Sequence, residues 1–306
     1  MPTIKSYRSK VRGSRPRGKA VPSKPKLPIR LRQLQMLKPL RNLFRNAPEG
    51  PRPSTPAGTR FYAIGDIHGC DRLFDALIDA IEADDAQAGQ ADTTVIMLGD
   101  LVDRGPGSAQ VIAKAREWGT RRKVRYLAGN HEEMFLDSFE DRNVLRHFLK
   151  HGGRETILSY PIAKSEYSKL ELDELQERLH SLVPQEDRDF LRSFEEIIVA
   201  GDYAFAHAGI EPTRALHDQA RHDLLWIRER FLGHDAPFEK VIVHGHTIFE
   251  KVDQRANRIG IDTGAFRYGR LTALVLEGET RRYIQACDRS GKDGGAIEID
   301  KWAEVA

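Results

Sequence analysis

Three times between residues 61 and 131 an apolar run breaks into a glycine followed at once by a carboxylate or its amide. "RFYAIGD" leads to Asp66, "TTVIMLGD" to Asp100 and "KVRYLAGN" to Asn130. Runs of β-branched and aliphatic residues of this length read as strands buried on both faces. Amphipathic stretches lie between them; Leu73, Leu77, Ile78 and Ile81 share one helical face in the first. Strand, loop and helix in three successive units predict an α/β core with parallel strands. Residues 138–196 are charged and mostly helical in pattern, and five further strands follow, from "YAFAHA" to "RRYIQA". The later strands succeed one another without helices, so an antiparallel region is expected to close the domain.

The loop "GDLVDRG" places Asp100, Asp103 and Arg104 at the mouth of the second strand. Charges there are costly unless they are paired or bind something. The loop alone leaves both readings open: an ion-pair cluster, or a set of groups facing a ligand. The other strand ends weigh on the choice. His68 follows the first strand, His131 the third, His207 lies in "FAHAG", and His244 and His246 lie in "VHGHT". In open α/β sheets, ligand sites gather beyond the carboxyl ends of the strands. The donors are oxygen and imidazole with no thiolate, a set that suits Mn²⁺, Fe or Zn²⁺. Asp66, His68, Asp100, Asn130, His207 and His246 make six, enough for two metals sharing one bridging carboxylate.

Composition narrows the class. No stretch of the 306 residues approaches the run of about 18 apolar residues that a membrane span needs. Neither terminus has the layout of a secretory signal, and two cysteines, Cys70 and Cys287, cannot build a disulfide framework or a zinc ribbon. A cytoplasmic setting is expected. The net charge of +3 hides an asymmetry: residues 1–60 hold 16 Lys and Arg against one acid, Glu49, while the remainder holds 32 basic and 44 acidic residues. Ten of the 15 prolines also fall in those first 60 positions. Residues 1–58 therefore read as a basic, Pro-rich disordered tail. A basic amphipathic stretch, "IRLRQLQMLKPLRNLF", interrupts it. The tail is either simply solvated or a contact for an acidic partner, nucleic acid or an anionic lipid surface. A mitochondrial-type transit peptide fits its arginines but not its prolines, and a nucleic-acid-binding function would need more aromatic support than Tyr7 and Phe44.

In order along the chain stand "GDIHG", "GDLVDRG", "GNHE", "HAG", "DLLWIRER", "VHGHT" and "IDTGA". Over residues 61 to about 276 this series resembles the calcineurin-like metallophosphoesterases, specifically the phosphoprotein phosphatase (PPP) family in its bacterial and phage-type branch. The resemblance implies an α/β fold with a central β-sandwich flanked by helices and a metal site at the carboxyl ends of the strands. It implies a catalytic domain over 59–290, with 291–306 a C-terminal tail. It gives Asp66 and His68 to a first metal, makes Asp100 the bridge, and assigns Asn130, His207 and His246 to a second metal, with Mn²⁺ the expected ion. Arg104 and Arg228 would grip phosphoryl oxygens, and His131, oriented by Asp103, would be the general acid. The expected activity is serine/threonine phosphoprotein phosphatase, acting on a phosphorylated protein. The alternatives are a symmetrical diadenosine tetraphosphate hydrolase and a non-catalytic phosphoprotein-binding scaffold. Arg230 is expected at the surface and His244 behind a ligand, while Glu132, His151, His180 and Cys70 are given structural readings.

Overall fold

Strand β1 (Thr59–Ile64) shows how the layers arise. Side chains alternate across a strand, so Phe61 and Ala63 enter one core while Tyr62 and Ile64 enter another. The structure, a computed structural model, describes residues 52–290 and 295–304. In chain order the elements are β1, α1 (Asp71–Gln87), β2 (Asp92–Met97), α2 (Ser108–Arg121), β3 (Val124–Tyr126), α3 (Asn130–Asp137) and α4 (Arg142–Phe148). After a π-helical turn (Leu149–Gly153) come α5 (Arg154–Ser159), α6 (Lys164–Tyr167), α7 (Leu172–Leu182), α8 (Gln185–Arg192), β4 (Ile197–Ala200), β5 (Tyr203–Ala206), α9 (Arg221–Trp226) and α10 (Glu229–Leu232). The chain closes with β6 (Val241–His244), β7 (Asp253–Gln254), β8 (Arg258–Gly260), α11 (Ala265–Tyr268), β9 (Arg270–Glu277), β10 (Thr280–Asp288) and β11 (Ile297–Ala303).

The strands form two sheets, ordered β11-β10-β9-β1-β2-β3 and β4-β5-β6-β8-β7. Their inner faces supply one core, in which Phe61, Ile96 and Leu274 from the first sheet meet Phe205, Val243 and Ile259 from the second. Outside the first sheet, Tyr62, Val95 and Met97 pack under Phe74 and Leu77 of α1 and Ile112 and Trp118 of α2. Outside the second, Ala204 and Ile242 pack under Leu224 of α9 and Phe231 of α10. Burying a side chain of this size contributes about 1.5–3 kcal/mol. The expected sandwich flanked by helices is present.

Strands β1, β2 and β3 pair in parallel, as their helical crossovers require. Two expectations change. The late strands are antiparallel in β1–β9–β10–β11 and in the edge pairs β4–β5 and β7–β8, whereas β5, β6 and β8 are parallel. The short strand β7 and its loops reverse the chain between β6 and β8, a connection too brief to show as an apolar run. Residues 291–306 are not simply a tail, because β11 adds to the sheet edge over seven paired residues. Its "IEIDKWA" is mostly exposed and so carries no strong apolar signal. The basic segment lies outside the described residues up to position 51. Its last part is bound: Thr55 N donates to Gly278 O at 3.0 Å, and Asp202 N donates to Ser54 O at 2.9 Å. These short segments tie the β9–β10 turn and the β4–β5 turn to the chain before β1. No helix among the described residues is long and apolar enough to cross a membrane.

Candidate active site

The carboxyl ends of β1, β2, β3, β5, β6 and β8 meet at one edge of the sandwich. They bring with them all six expected ligands, all buried: Asp66, His68, Asp100, Asn130, His207 and His246. Reaching one point from so many strands strains the backbone. The non-glycine residues with positive φ among those described are His68, Asp100, Asp103, Arg104 and His246, all of them nominated from the sequence. Such conformations cost on the order of 1–3 kcal/mol each and persist only when the surroundings fix them. Glu132 does much of that fixing. Its carboxylate accepts from the backbone N–H groups of Gly129 (3.0 Å), Asp100 (2.8 Å), Leu101 (2.7 Å) and Val102 (3.3 Å). Burial and the Asp100 charge nevertheless push Glu132 up to about 7. Gly245 is required for space, since a Cβ there would run into Asp66 Oδ1.

The imidazoles are aimed by carbonyl groups. A carbonyl oxygen only accepts, so the Nδ1–H of His68 donates to Val102 O (2.9 Å) and that of His207 to Leu98 O (2.7 Å). Burial lowers the pKa of both, that of His68 to about 3, and both rings are neutral. Their bare Nε2 lone pairs therefore face the Asp100 carboxylate, from His68 at 3.5 Å and from His207 at 3.4 Å. Lone pair against carboxylate is repulsive unless a cation lies between. His246, lowered to about 2 chiefly by burial, adds a buried Nε2 that has no hydrogen-bond partner among the described residues. The donor set fits divalent metal ions.

Ligand atoms close enough to share an ion fall into two groups joined by Asp100: His68–Asp100–His131 and Asp100–His207–His246. Asn130 Oδ1 lies 3.0 Å from His207 Nε2 and 2.8 Å from His246 Nδ1. Asp66 is turned differently, accepting from His246 N at 2.9 Å. Burial and the charges of Asp262 and Asp100 raise it well above the carboxylate range. Asp262 was missed in the sequence. It is buried, its Oδ1 accepts from Gly264 N at 3.0 Å, and its Oδ2 has no partner among the described residues. Burial lifts its pKa to about 6. The signal was available, because "RIGIDTG" repeats the pattern of an apolar strand breaking into Asp and Gly.

Beside these groups, His131 Nδ1 lies 2.6 Å from Asp103 Oδ2, and its Nε2 lies 3.0 Å from Arg104 Nη2. Burial alone would lower His131, but the charge of Asp100 and the hydrogen bond and charge of Asp103 outweigh it and raise the pKa. Asp103 is fixed from the helical segment. Thr156 of α5 donates to its Oδ1 at 2.5 Å, and its backbone N–H donates to Thr156 Oγ1 and Ser108 Oγ. Thr156 and Ser108 carry no motif, and nothing in the sequence marks them. Thr156→Val leaves a buried carboxylate and N–H short of partners, so unfolding free energy should fall by about 1.5–3 kcal/mol in urea titration. Unchanged stability would contradict this role.

The arginines separate. Arg230 pairs with Glu211 (2.6 Å) and Asp223 (3.2 Å), whereas Arg228 is exposed, and its charge adds to the lowering of His207 and His246 that burial dominates. Arg104 lies 4.5 Å under the exposed ring of Phe266, which also meets His68 edge-on. His244, expected behind a ligand, packs instead against Phe231, with Nδ1 near Gly245 O.

The chain is 30% identical over 248 residues to the asymmetrical bis(5'-nucleosyl)-tetraphosphatase PrpE of Geobacillus thermodenitrificans, spanning 69% of this chain and 88% of that protein. It is 41% identical over 71 residues to a symmetrical bis(5'-nucleosyl)-tetraphosphatase of Paracidovorax citrulli, spanning 23% of each. Among solved structures, a putative diadenosine tetraphosphatase superposes with a TM-score of 0.51 at 20% identity, covering 82% of this chain and 98% of that one. The family model described as calcineurin-like phosphoesterase matches residues 59–267. That stretch holds every strand end that converges here, and the chain belongs to the calcineurin-like phosphoesterases.

Proposed function

We propose that this metallophosphoesterase hydrolyses phosphomonoesters on serine and threonine side chains of proteins. The observation that carries this reading is the His131–Asp103 pair, 2.6 Å apart, beside the acceptor-rich cluster around Asp100. A serine alkoxide is a poor leaving group, and a positioned proton donor accelerates its departure by about 10²–10⁴. Asp66, His68 and Asp100 would hold one divalent ion, and Asp100, Asn130, His207 and His246 a second, Mn²⁺, Fe and Zn²⁺ all suiting nitrogen and oxygen donors. Bound there, such ions supply a nucleophile at neutral pH and offset charge on the transferring phosphoryl group. Arg104 and Arg228 present planar forks that match phosphate oxygens. Phe266 holds Arg104 from one side. His131 Nε2, which accepts from Arg104 Nη2 here, would carry the proton to the leaving oxygen once Arg104 turns to the phosphate, and Asp103 keeps the ring turned that way.

Hydrolysis of dinucleoside tetraphosphates is the second reading, and the names of the relatives favour it. Its leaving group is a phosphate, which departs without a proton. Side-by-side turnover of a phosphoserine peptide and of diadenosine tetraphosphate by the metal-loaded protein decides between them. The proposal expects the peptide to have the larger kcat/KM. A tetraphosphate preference of a hundredfold or more would replace it.

A further inference from the structure

Between Asp141 and Glu155 the chain holds Arg142, Arg146, Lys150 and Arg154, each four residues after the last, and no acid. Two of these are neutralised, Arg142 by Asp173 at 2.7 Å and Arg154 by Glu155 at 3.0 Å. Among the described residues the other two are in no ion pair: exposed Arg146 donates to the Asn143 side-chain Oδ1 at 3.0 Å, and Lys150 is exposed. His147 and His151 lie beside them, exposed, with ring centroids 4.0 Å apart. The ridge is attached to the active site by backbone. Gly152, at φ 111°, accepts from Arg104 N at 3.2 Å, and a Cβ on it would run into the Arg104 backbone. The π-helical turn ends here, irregular geometry of the kind often found at functional sites.

We propose that Arg146 and Lys150, with His147 and His151 beside them, receive an acidic or additionally phosphorylated residue flanking the scissile phosphoresidue of a peptide substrate. This rests on the protein phosphatase reading above. Residues 61–306 carry 32 basic and 44 acidic groups, a background that repels anions. Uncompensated cations on the segment that Gly152 joins to Arg104 are a local exception to it. Arg146 and Lys150 are one helical turn apart, roughly 5–6 Å. Alternate side chains of an extended peptide are spaced roughly 6.6–6.8 Å apart, a difference of about 1 Å that the long Arg and Lys side chains span. Being exposed, the ridge lends selectivity that salt screens beyond about 8 Å at physiological strength.

The test compares the metal-loaded wild type with the double variant Arg146→Gln, Lys150→Gln. The substrates are a phosphoserine peptide with Glu and Asp flanks, the same peptide with Ala flanks, para-nitrophenyl phosphate and diadenosine tetraphosphate. The wild type should favour the acidic peptide over the Ala peptide by about five- to tenfold in kcat/KM at low salt. That ratio should fall to about one in the variant, and in the wild type at high salt. The ratio of Ala peptide to aryl phosphate should be the same in both proteins. Equal turnover of the two peptides by the wild type would overturn the ridge and leave the protein phosphatase reading standing, as would a proportional loss on every substrate in the variant. If neither peptide is hydrolysed and the variant loses diadenosine tetraphosphate turnover alone, the reading itself has failed, and the peptide occupant with it.

Discussion

Asp100→Asn should lower turnover of an aryl phosphate by at least about 10³-fold, a loss of roughly 4 kcal/mol of transition-state stabilisation. Asp100 is the residue common to both groups of potential ligands, and two neutral imidazoles point lone pairs at its carboxylate. Halving the negative oxygen character there weakens both metal positions at once. The variant should still fold. An Asn side-chain oxygen can accept the His131 N–H that Asp100 Oδ1 accepts at 3.0 Å, and the backbone N–H of position 100 stays on Glu132. Metal content by elemental analysis should drop from two ions per chain to one or none. Retention of two ions with full activity would remove Asp100 from the bridging position.

His131→Asn should behave differently, keeping its metal content while slowing hydrolysis of a phosphoserine peptide by about 10²–10⁴. The loss should shrink on para-nitrophenyl phosphate, whose leaving group needs no proton. Loss of a metal ion instead would make His131 a ligand, an outcome that its place beside His68 and Asp100 makes worth measuring. The pH profile adds a second check. His131 must be protonated to act, and the charges of Asp100 and Asp103 raise its pKa above the value burial alone would give. Activity should therefore fall as pH rises through that pKa. Asp103→Asn removes one of the two charges favouring the imidazolium, so the alkaline limb should move to lower pH. A limb that stays in place would separate Asp103 from the proton donor.

The sheet-end residues were legible because strand, glycine and polar residue recur in one local pattern, readable without knowing the pairing. The sandwich was less so, since which strands share a sheet depends on contacts between residues such as Phe61 and Phe205 that lie far apart in the chain. Strand β11 was hidden by its exposure, as an edge strand with few apolar residues looks like a tail. The supports were hidden for another reason. Glu132 accepts from four backbone N–H groups and Thr156 both donates to and accepts from Asp103, and such bonds follow from the fold, leaving no periodic trace. His244 misled because it lies two residues before a site histidine. The positive φ of His246 departs from strand geometry, so strand alternation does not relate the two rings.

The lone pairs of His68 and His207 that converge on the Asp100 carboxylate require cations between them. Stripping the protein of metal with a chelator and titrating Mn²⁺ back against turnover of para-nitrophenyl phosphate tests it most directly. Activity should be absent in the stripped protein and should return in proportion to bound metal, saturating at two ions per chain. Full turnover by protein that elemental analysis shows to be free of metal would contradict it.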